Sequence, residues 1–124
     1  MRHTARNITT TVLSLATLLG ALLFTPFQAS AAGASAVEKG KAVAVDRKKG
    51  NCLGCHAMDD GTLPGNIGPP LVAMKARFPD KAKLRAQIWD ATVVNPNTIM
   101  PPFGRHRMLS EEQIDQITEY VYTL

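Results

Sequence analysis

The run Cys52-Leu53-Gly54-Cys55-His56 contains the only two cysteines of the sequence, and the rest of the chain is arranged around it. Both thiols and the imidazole follow the spacing i, i+3 and i+4, which on a helix places three side chains on one face. Side chains grouped in this way can meet one edge and the centre of a single flat group. The motif therefore predicts a site for a planar cofactor.

CxxCH is the attachment signature of c-type haem. In that chemistry the two thiols add across the vinyl groups of the porphyrin, and the histidine ligates the iron. We therefore expect one covalently attached haem c, bound through Cys52 and Cys55. His56 is the predicted proximal iron ligand.

Three other uses of two neighbouring cysteines fit the sequence less well. A thioredoxin-like CxxC follows a strand in a βαβ unit, and no segment upstream of the motif alternates as a strand does. A zinc site needs further ligands, and His106 is the only other histidine or cysteine after residue 31. A plain disulfide would close a very short loop and add little stability.

Residues 1–31 have the features of a cleaved secretory signal peptide. Arg2 and Arg6 precede an apolar run over 12–24, and an A-x-A cleavage signal follows at 29–31. The apolar run has 13 residues, whereas a helix that spans a membrane needs about 20. We therefore expect export to the periplasm, attachment of haem outside the cytoplasm, and no membrane span after cleavage.

Residues 32–124 would then form one mature domain of about 93 residues, a length at which a core made of side chains alone is marginal. A bound haem would help to fill such a core. The whole chain has a formal net charge of +4, and two of its basic residues, Arg2 and Arg6, belong to the leader. So small an excess in the domain does not indicate a nucleic-acid partner.

Helical periodicity predicts an all-α domain. The apolar spacing indicates a first helix that ends near Gly50, just before the motif, and Asp, Gly and Pro make the segment after it a loop. A Ser110-Glu111-Glu112-Gln113 capping box starts the last helix. The predicted helices cover residues 36–49, 79–94 and 110–124, and the loop covers residues 58–70.

Met100 is the predicted distal iron ligand, because Pro96, Pro101 and Pro102 stiffen its loop and could hold a thioether at low entropic cost. Met108 is the stronger of its two rivals. His106 is the weaker, since a histidine between two arginines is usually solvated and protonation would compete with iron.

Two further methionines follow the leader. Met58 is too close in sequence to His56 to reach the other face of a ring, so we expect packing or exposure there. Met74 is consistent with core filling.

A ligating histidine usually needs its second ring nitrogen to be hydrogen-bonded. Gly68-Pro69-Pro70-Leu71 follows the motif closely and is stiffened by its prolines. We therefore expect the carbonyl of Pro69 to accept a hydrogen bond from the imidazole of His56.

Taken together, these features resemble class I cytochromes c. More narrowly, the blocks over 50–56, 64–71 and 95–104 resemble SoxX, the small monohaem subunit family of the SoxAX complexes of sulfur-oxidising bacteria. The resemblance runs from about Lys39 to the C-terminus. It implies an all-α class I cytochrome c fold, in which the N- and C-terminal helices pack together around one haem with His56 and Met100 as iron ligands.

The resemblance also implies a function. The chain would be a periplasmic electron-transfer subunit bound to a SoxA-like partner, accepting electrons while thiosulfate is coupled oxidatively to a cysteine of the SoxYZ carrier. A downstream cytochrome c would receive those electrons. The complex is an L-cysteine S-thiosulfotransferase of the oxidoreductase type, and we expect no activity from this chain alone.

The residues by themselves do not reach sulfur chemistry, and two alternatives stay open. A free soluble cytochrome c that feeds an oxidase would dock through a ring of basic residues about the haem edge. A haem sensor or peroxidase requires that Met100 not bind the iron. Seven basic residues could form the ring, although a solvated helix face explains most of them. They are Lys75, Arg77, Lys81, Lys83, Arg85, Arg105 and Arg107.

Overall fold

Four α-helices make up the regular structure of the domain in a computed structural model of the protein, which describes residues 34–124. The predicted signal peptide and its cleavage site lie outside the described residues. The helices are α1 (Ala36–Val45), α2 (Met74–Arg77), α3 (Lys81–Trp89) and α4 (Glu111–Val121). Between residues 34 and 124 the only β-type pairing is an isolated bridge between Met58 and Leu71, so the domain is all-α as predicted.

The two terminal helices begin with the same local device. In α1 the hydroxyl of Ser35 accepts from the amide of Glu38, and the carboxylate of Glu38 accepts from the amide of Ser35. In α4 Ser110 and Gln113 form the equivalent pair, which confirms the predicted capping box. Each box satisfies two amides that the first turn of a helix leaves without partners.

Helices α1 and α4 pack directly against each other, as the resemblance to class I cytochromes c implies. Gly40 lies at the crossing, where a Cβ atom would collide with the backbone carbonyl of Gln116. Ile114 and Ile117 of α4 are buried beside Ala44 of α1, each no more than 1% exposed. The close backbone contact at Gly40 therefore fixes how α1 and α4 pack against each other.

The first predicted helix is wrong at its C-terminal end, since α1 stops at Val45 instead of continuing to residue 49. Asp46 is the cause. Its Oδ1 accepts from the amide of Lys48 at 2.8 Å, and its carbonyl accepts from the amides of Lys49 and Asn51. An aspartate that competes for backbone amides in this way ends a helix.

The helix predicted over 79–94 is also too long, because α3 covers only Lys81–Trp89. Asp80 caps its start as expected, accepting from the amide of Ala82 at 2.9 Å. Asp90 ends it by adopting φ −153° and capping a short 3₁₀ turn over Ala91–Val93. None of the helices within residues 34–124 is long and apolar enough to cross a membrane.

Candidate haem-binding site

The CxxCH motif forms a single tight turn. Asn51 precedes it with a left-handed backbone, φ 46°, and a 3₁₀ helix covers Cys52–Gly54. The carbonyl of Cys52 accepts from the amide of Cys55 at 3.1 Å and from that of His56 at 2.8 Å. One turn is therefore enough to group the side chains at i, i+3 and i+4, as the spacing predicts for a helix.

Both thiols of the motif are free. Burial raises the pKa of the Cys52 thiol to about 11, which keeps it protonated near neutral pH. A dithiol that exchanges disulfides needs a thiolate, and a raised pKa opposes that use. The environment of Cys52 thus argues against the thioredoxin-like alternative, for which residues 34–124 also offer no βαβ unit.

His56 has its ring oriented from two directions. Its Nδ1 lies 2.7 Å from the carbonyl oxygen of Pro69, which confirms the predicted hydrogen bond. A carbonyl can only accept, so Nδ1 carries the proton and Nε2 keeps the lone pair that a metal needs. Gly68 packs flat against the ring, where a Cβ would lie 2.5 Å from Nδ1 and 2.8 Å from Nε2.

A ladder of backbone hydrogen bonds ties the loop after the motif to the motif itself. The amides of Gly65, Gly68 and Leu71 donate to the carbonyls of Leu53, Cys55 and Ala57, each at 2.8 Å. The Pro69 carbonyl is fixed between the second and third of these bonds. The predicted loop over 58–70 is therefore an ordered wall.

One cleft collects all four side chains that the sequence proposes for the cofactor. Cys52, Cys55, His56 and Met100 line it, and its volume is about 1100 Å³ when the part open to solvent is included. Most of the remaining lining is apolar, including Leu71, Phe78, Ile88, Phe103 and Ile117. Two thiols, an imidazole nitrogen, a thioether and apolar walls form a donor set suited to a covalently held haem.

The other candidate ligands are placed differently. Met108 is 51% exposed and His106 is exposed, and neither lines the cleft. Met58 is buried in the core. Met74 does line the cleft, but it is 2% exposed and its sulfur already accepts from the guanidinium of Arg77 at 3.4 Å.

Arg77, which the sequence offered only as a possible member of the basic ring, lines the cleft. Among residues 34–124 it is the only arginine, lysine or carboxylate lining the cleft, and its guanidinium donates to the carbonyl of Pro70 at 2.7 Å. A fixed cation here suits the carboxylates that a haem carries. No motif marks such a residue, because its position depends on how α2 folds back over the loop.

Several members of the suggested basic ring are engaged within the domain. Lys81 contacts Glu119 at 2.7 Å, Arg85 contacts Glu111 and Asp115, and Arg105 contacts Asp90 at 3.1 Å. These pairs make the solvated-face interpretation apply to Lys81 and Arg85. Arg105 differs from Lys81 and Arg85 because its partner, Asp90, is buried.

Comparison with known proteins agrees with this geometry. A model of the family described as cytochrome C oxidase, cbb3-type, subunit III matches residues 35–121. The crystal structure of SoxXA from P. pantotrophus aligns with a TM-score of 0.63 and 25% identity, over 70% of this chain and 80% of that chain.

A curated relative, an uncharacterized lipoprotein of Aquifex aeolicus (strain VF5), is 34% identical over 76 residues, or 60% of this chain. The match spans only 37% of that relative's length. The family match covers more than half of this chain, and the helical architecture agrees with the SoxXA structure. The chain therefore belongs to the family of cytochrome C oxidase, cbb3-type, subunit III, and is a SoxX-like c-type cytochrome with a class I cytochrome c fold.

Proposed function

We propose that this chain is the electron-transfer subunit of a SoxAX-like complex and holds one haem c. Cys52 and Cys55 would bind the haem covalently, with His56 as proximal and Met100 as distal iron ligand. The observation that carries the proposal is the single apolar cleft that these four side chains line. Pro69 supports it by holding the proton on Nδ1 of His56.

The residues of the cleft suit electron transfer better than ligand activation. When bound, haem c supplies a one-electron iron couple whose potential depends on its axial ligands, and a methionine raises it. Met100 would occupy the position that oxygen or peroxide needs. The apolar walls would shield a bound haem from water, and Arg77 would balance the charge of its carboxylates.

A partner is proposed because the chain has no side chain to spare for sulfur chemistry. Cys52 and Cys55 are its only cysteines, and both would be used by the cofactor. The similar solved structure is of SoxXA, which favours a SoxA-like subunit as that partner. Thiosulfate coupling to a SoxYZ-like carrier would then occur on the partner, and electrons would leave to a downstream cytochrome c.

The same proposal includes residues 1–31 as a cleaved signal peptide, residues 32–124 as the cytochrome domain, and the periplasm as the location. Covalent attachment through two thiols supports export, because haem c is expected to be joined to the chain outside the cytoplasm.

A second candidate is a carrier that feeds an oxidase, and the description of the matching family favours it. The two candidates differ in how the protein associates. An obligate subunit needs a stable apolar interface, whereas a free carrier docks briefly and in a salt-sensitive way.

Purification of the native protein at high salt tests the proposal. We expect a mature chain whose mass exceeds that of the polypeptide by one haem, which acidified solvent does not extract, and a SoxA-like subunit that stays bound. Thiosulfate should reduce the haem only when the partner and carrier are present. A Cys52→Ala and Cys55→Ala double variant is the control for covalent attachment, and an unpartnered haem protein would favour the oxidase-feeding carrier.

A further inference from the structure

The loop that carries Met100 is closed at its base. It leaves α3 after Trp89 and returns at Gly104, whose amide donates to the carbonyl of Trp89 at 3.0 Å. The amide of Arg105 approaches the same carbonyl at 3.5 Å. The two ends of the loop therefore meet at the end of one helix.

In the part of the chain that the structure describes, the backbone of the loop is hydrogen-bonded only to residues close to it in sequence. The amide of Met100 donates to Oγ1 of Thr98 at 3.1 Å, and the amide of Thr98 donates to the carbonyl of Asn95 at 3.0 Å. The hydrogen bonds of residues 95–102 all go to partners between residues 91 and 106. The position of Met100 relative to the cleft thus depends on the base of the loop and on side-chain packing.

Asp90 and Arg105 lock that base. Asp90 is only 3% exposed, and its Oδ1 accepts from the amide and the hydroxyl of Thr92 at 3.0 and 2.5 Å. Its Oδ2 lies 3.1 Å from the guanidinium of Arg105, which also reaches Thr92. The hydrogen bonds from Thr92 and the charges of Arg105 and His106 lower the pKa of Asp90, which keeps it ionised.

A buried carboxylate that loses its only ion-pair partner becomes unfavourable where it is, and the surrounding structure opens to hydrate it. Here the structure that would open is the base of the Met100 loop. We propose that the Asp90–Arg105 pair is a clasp that positions Met100, so that releasing the clasp detaches the thioether from the cleft. This proposal rests on the proposed role of Met100 as distal ligand.

The test measures how readily an added ligand replaces Met100. Imidazole can bind the ferric haem protein only in the fraction of molecules whose methionine has left, so its apparent Kd reports that fraction. Arg105→Gln should tighten apparent imidazole binding about tenfold, the usual size for losing a hydrogen bond to a charged group. Arg105→Lys should restore most of the difference, because it keeps the charge.

Arg107→Gln is the matched control. It removes the same charge from the same exposed segment, and Arg107 forms no ion pair with any residue between 34 and 124. Its imidazole affinity should stay within about twofold of wild type. The wild type should show the weak red charge-transfer band that methionine gives with ferric iron. If it does, equal imidazole affinities for Arg105→Gln and Arg107→Gln would overturn the clasp.

Amide hydrogen exchange separates a failure of the clasp from a failure of the ligand assignment. Peptides covering residues 91–105 should exchange faster in Arg105→Gln and in Asp90→Asn, while those of α4 stay protected. If the wild type lacked the methionine band, the distal-ligand assignment would fail, yet faster exchange in the loop would still support the clasp. Unchanged exchange in both variants would overturn the proposed clasp.

Discussion

Residues 52–71, which carry His56, and residues 90–105, which carry Met100, are attached to the domain in different ways. The first segment is cross-linked along its length by backbone hydrogen bonds at 2.8 Å and by the contact of His56 with Pro69. The second is joined at its base, by Gly104 to Trp89 and by Arg105 to Asp90. One side of the cleft is a fixed wall, and the other is a loop on a closed base.

Because of this difference, we expect the two sides of the cleft to tolerate substitutions to different degrees. A change on the His56 side must displace several hydrogen bonds at once, so its effect extends to folding. A change on the Met100 side can alter the proposed distal ligand while the packing of α1 against α4 persists. A segment closed only at its ends is also the one expected to open first in local fluctuations.

The largest effect is expected from Gly68→Ala, which attacks the fixed wall. The new methyl would overlap the ring of His56, whose position is already set by Pro69. Overpacking of this kind should lower the free energy of unfolding by about 3 kcal/mol, and it should disturb the iron ligation that we propose for His56. Urea unfolding and the visible spectrum of the purified protein check both.

Gly54→Ala is the control in the same segment. There a Cβ would approach the side chain of Asn51, with Nδ2 at 3.0 Å, and that side chain can move. We expect less than about 1 kcal/mol of destabilisation, because the position is exposed and the contact can relax. Equal losses in the two variants would show that the close fit of Gly68 to His56 has no special importance.

A smaller effect on stability is expected from Met100→Ala. The side chain is half-buried, so the loss should be about 1–2 kcal/mol, below the range for fully buried methionines. The weak red charge-transfer band that methionine gives with ferric iron should vanish, while the far-UV signal of the helices persists. Absorption and circular dichroism of one sample measure both.

Met108→Ala is the matched control, because Met108 is 51% exposed and does not line the cleft. It should leave the band in place. If the band survived in Met100→Ala, the assignment would pass to Met74, which also lines the cleft, and Met74→Ala would decide.

The features that the sequence predicted correctly depend on short separations. The capping box at Ser110 joins residues three apart, and the bond from His56 to Pro69 joins groups 13 residues apart within one stiffened segment. The spacing of the CxxCH motif likewise determines how its two thiols and its imidazole lie relative to one another. In each case the partners are fixed by the residues between them.

The features that the sequence did not predict depend on tertiary contacts or on competition for amides. Asp46 and Asp90 end their helices early by capping turns, although the apolar periodicity continues past both. The pairing of Asp90 with Arg105 joins residues on either side of the Met100 loop. Hydrophobic spacing carries no information about such pairs.

The smallest effect is expected from Arg77→Gln, which tests whether a cation of α2 that is bound to the fixed wall adds charge to the cleft. Arg77 is bound to the carbonyl of Pro70 and, of the residues that the structure describes, is the only permanent cation that lines the cleft. A positive charge nearby favours the reduced form of an iron centre, so its loss should lower the reduction potential by some tens of millivolts, roughly 1 kcal/mol. Lys75→Gln removes the same charge from the same helix, but Lys75 lies 5.7 Å over the ring of Tyr122 and does not line the cleft. Redox titration of both variants should therefore show a larger fall for Arg77→Gln, and equal falls would mean that only the net charge of α2 acts on the iron.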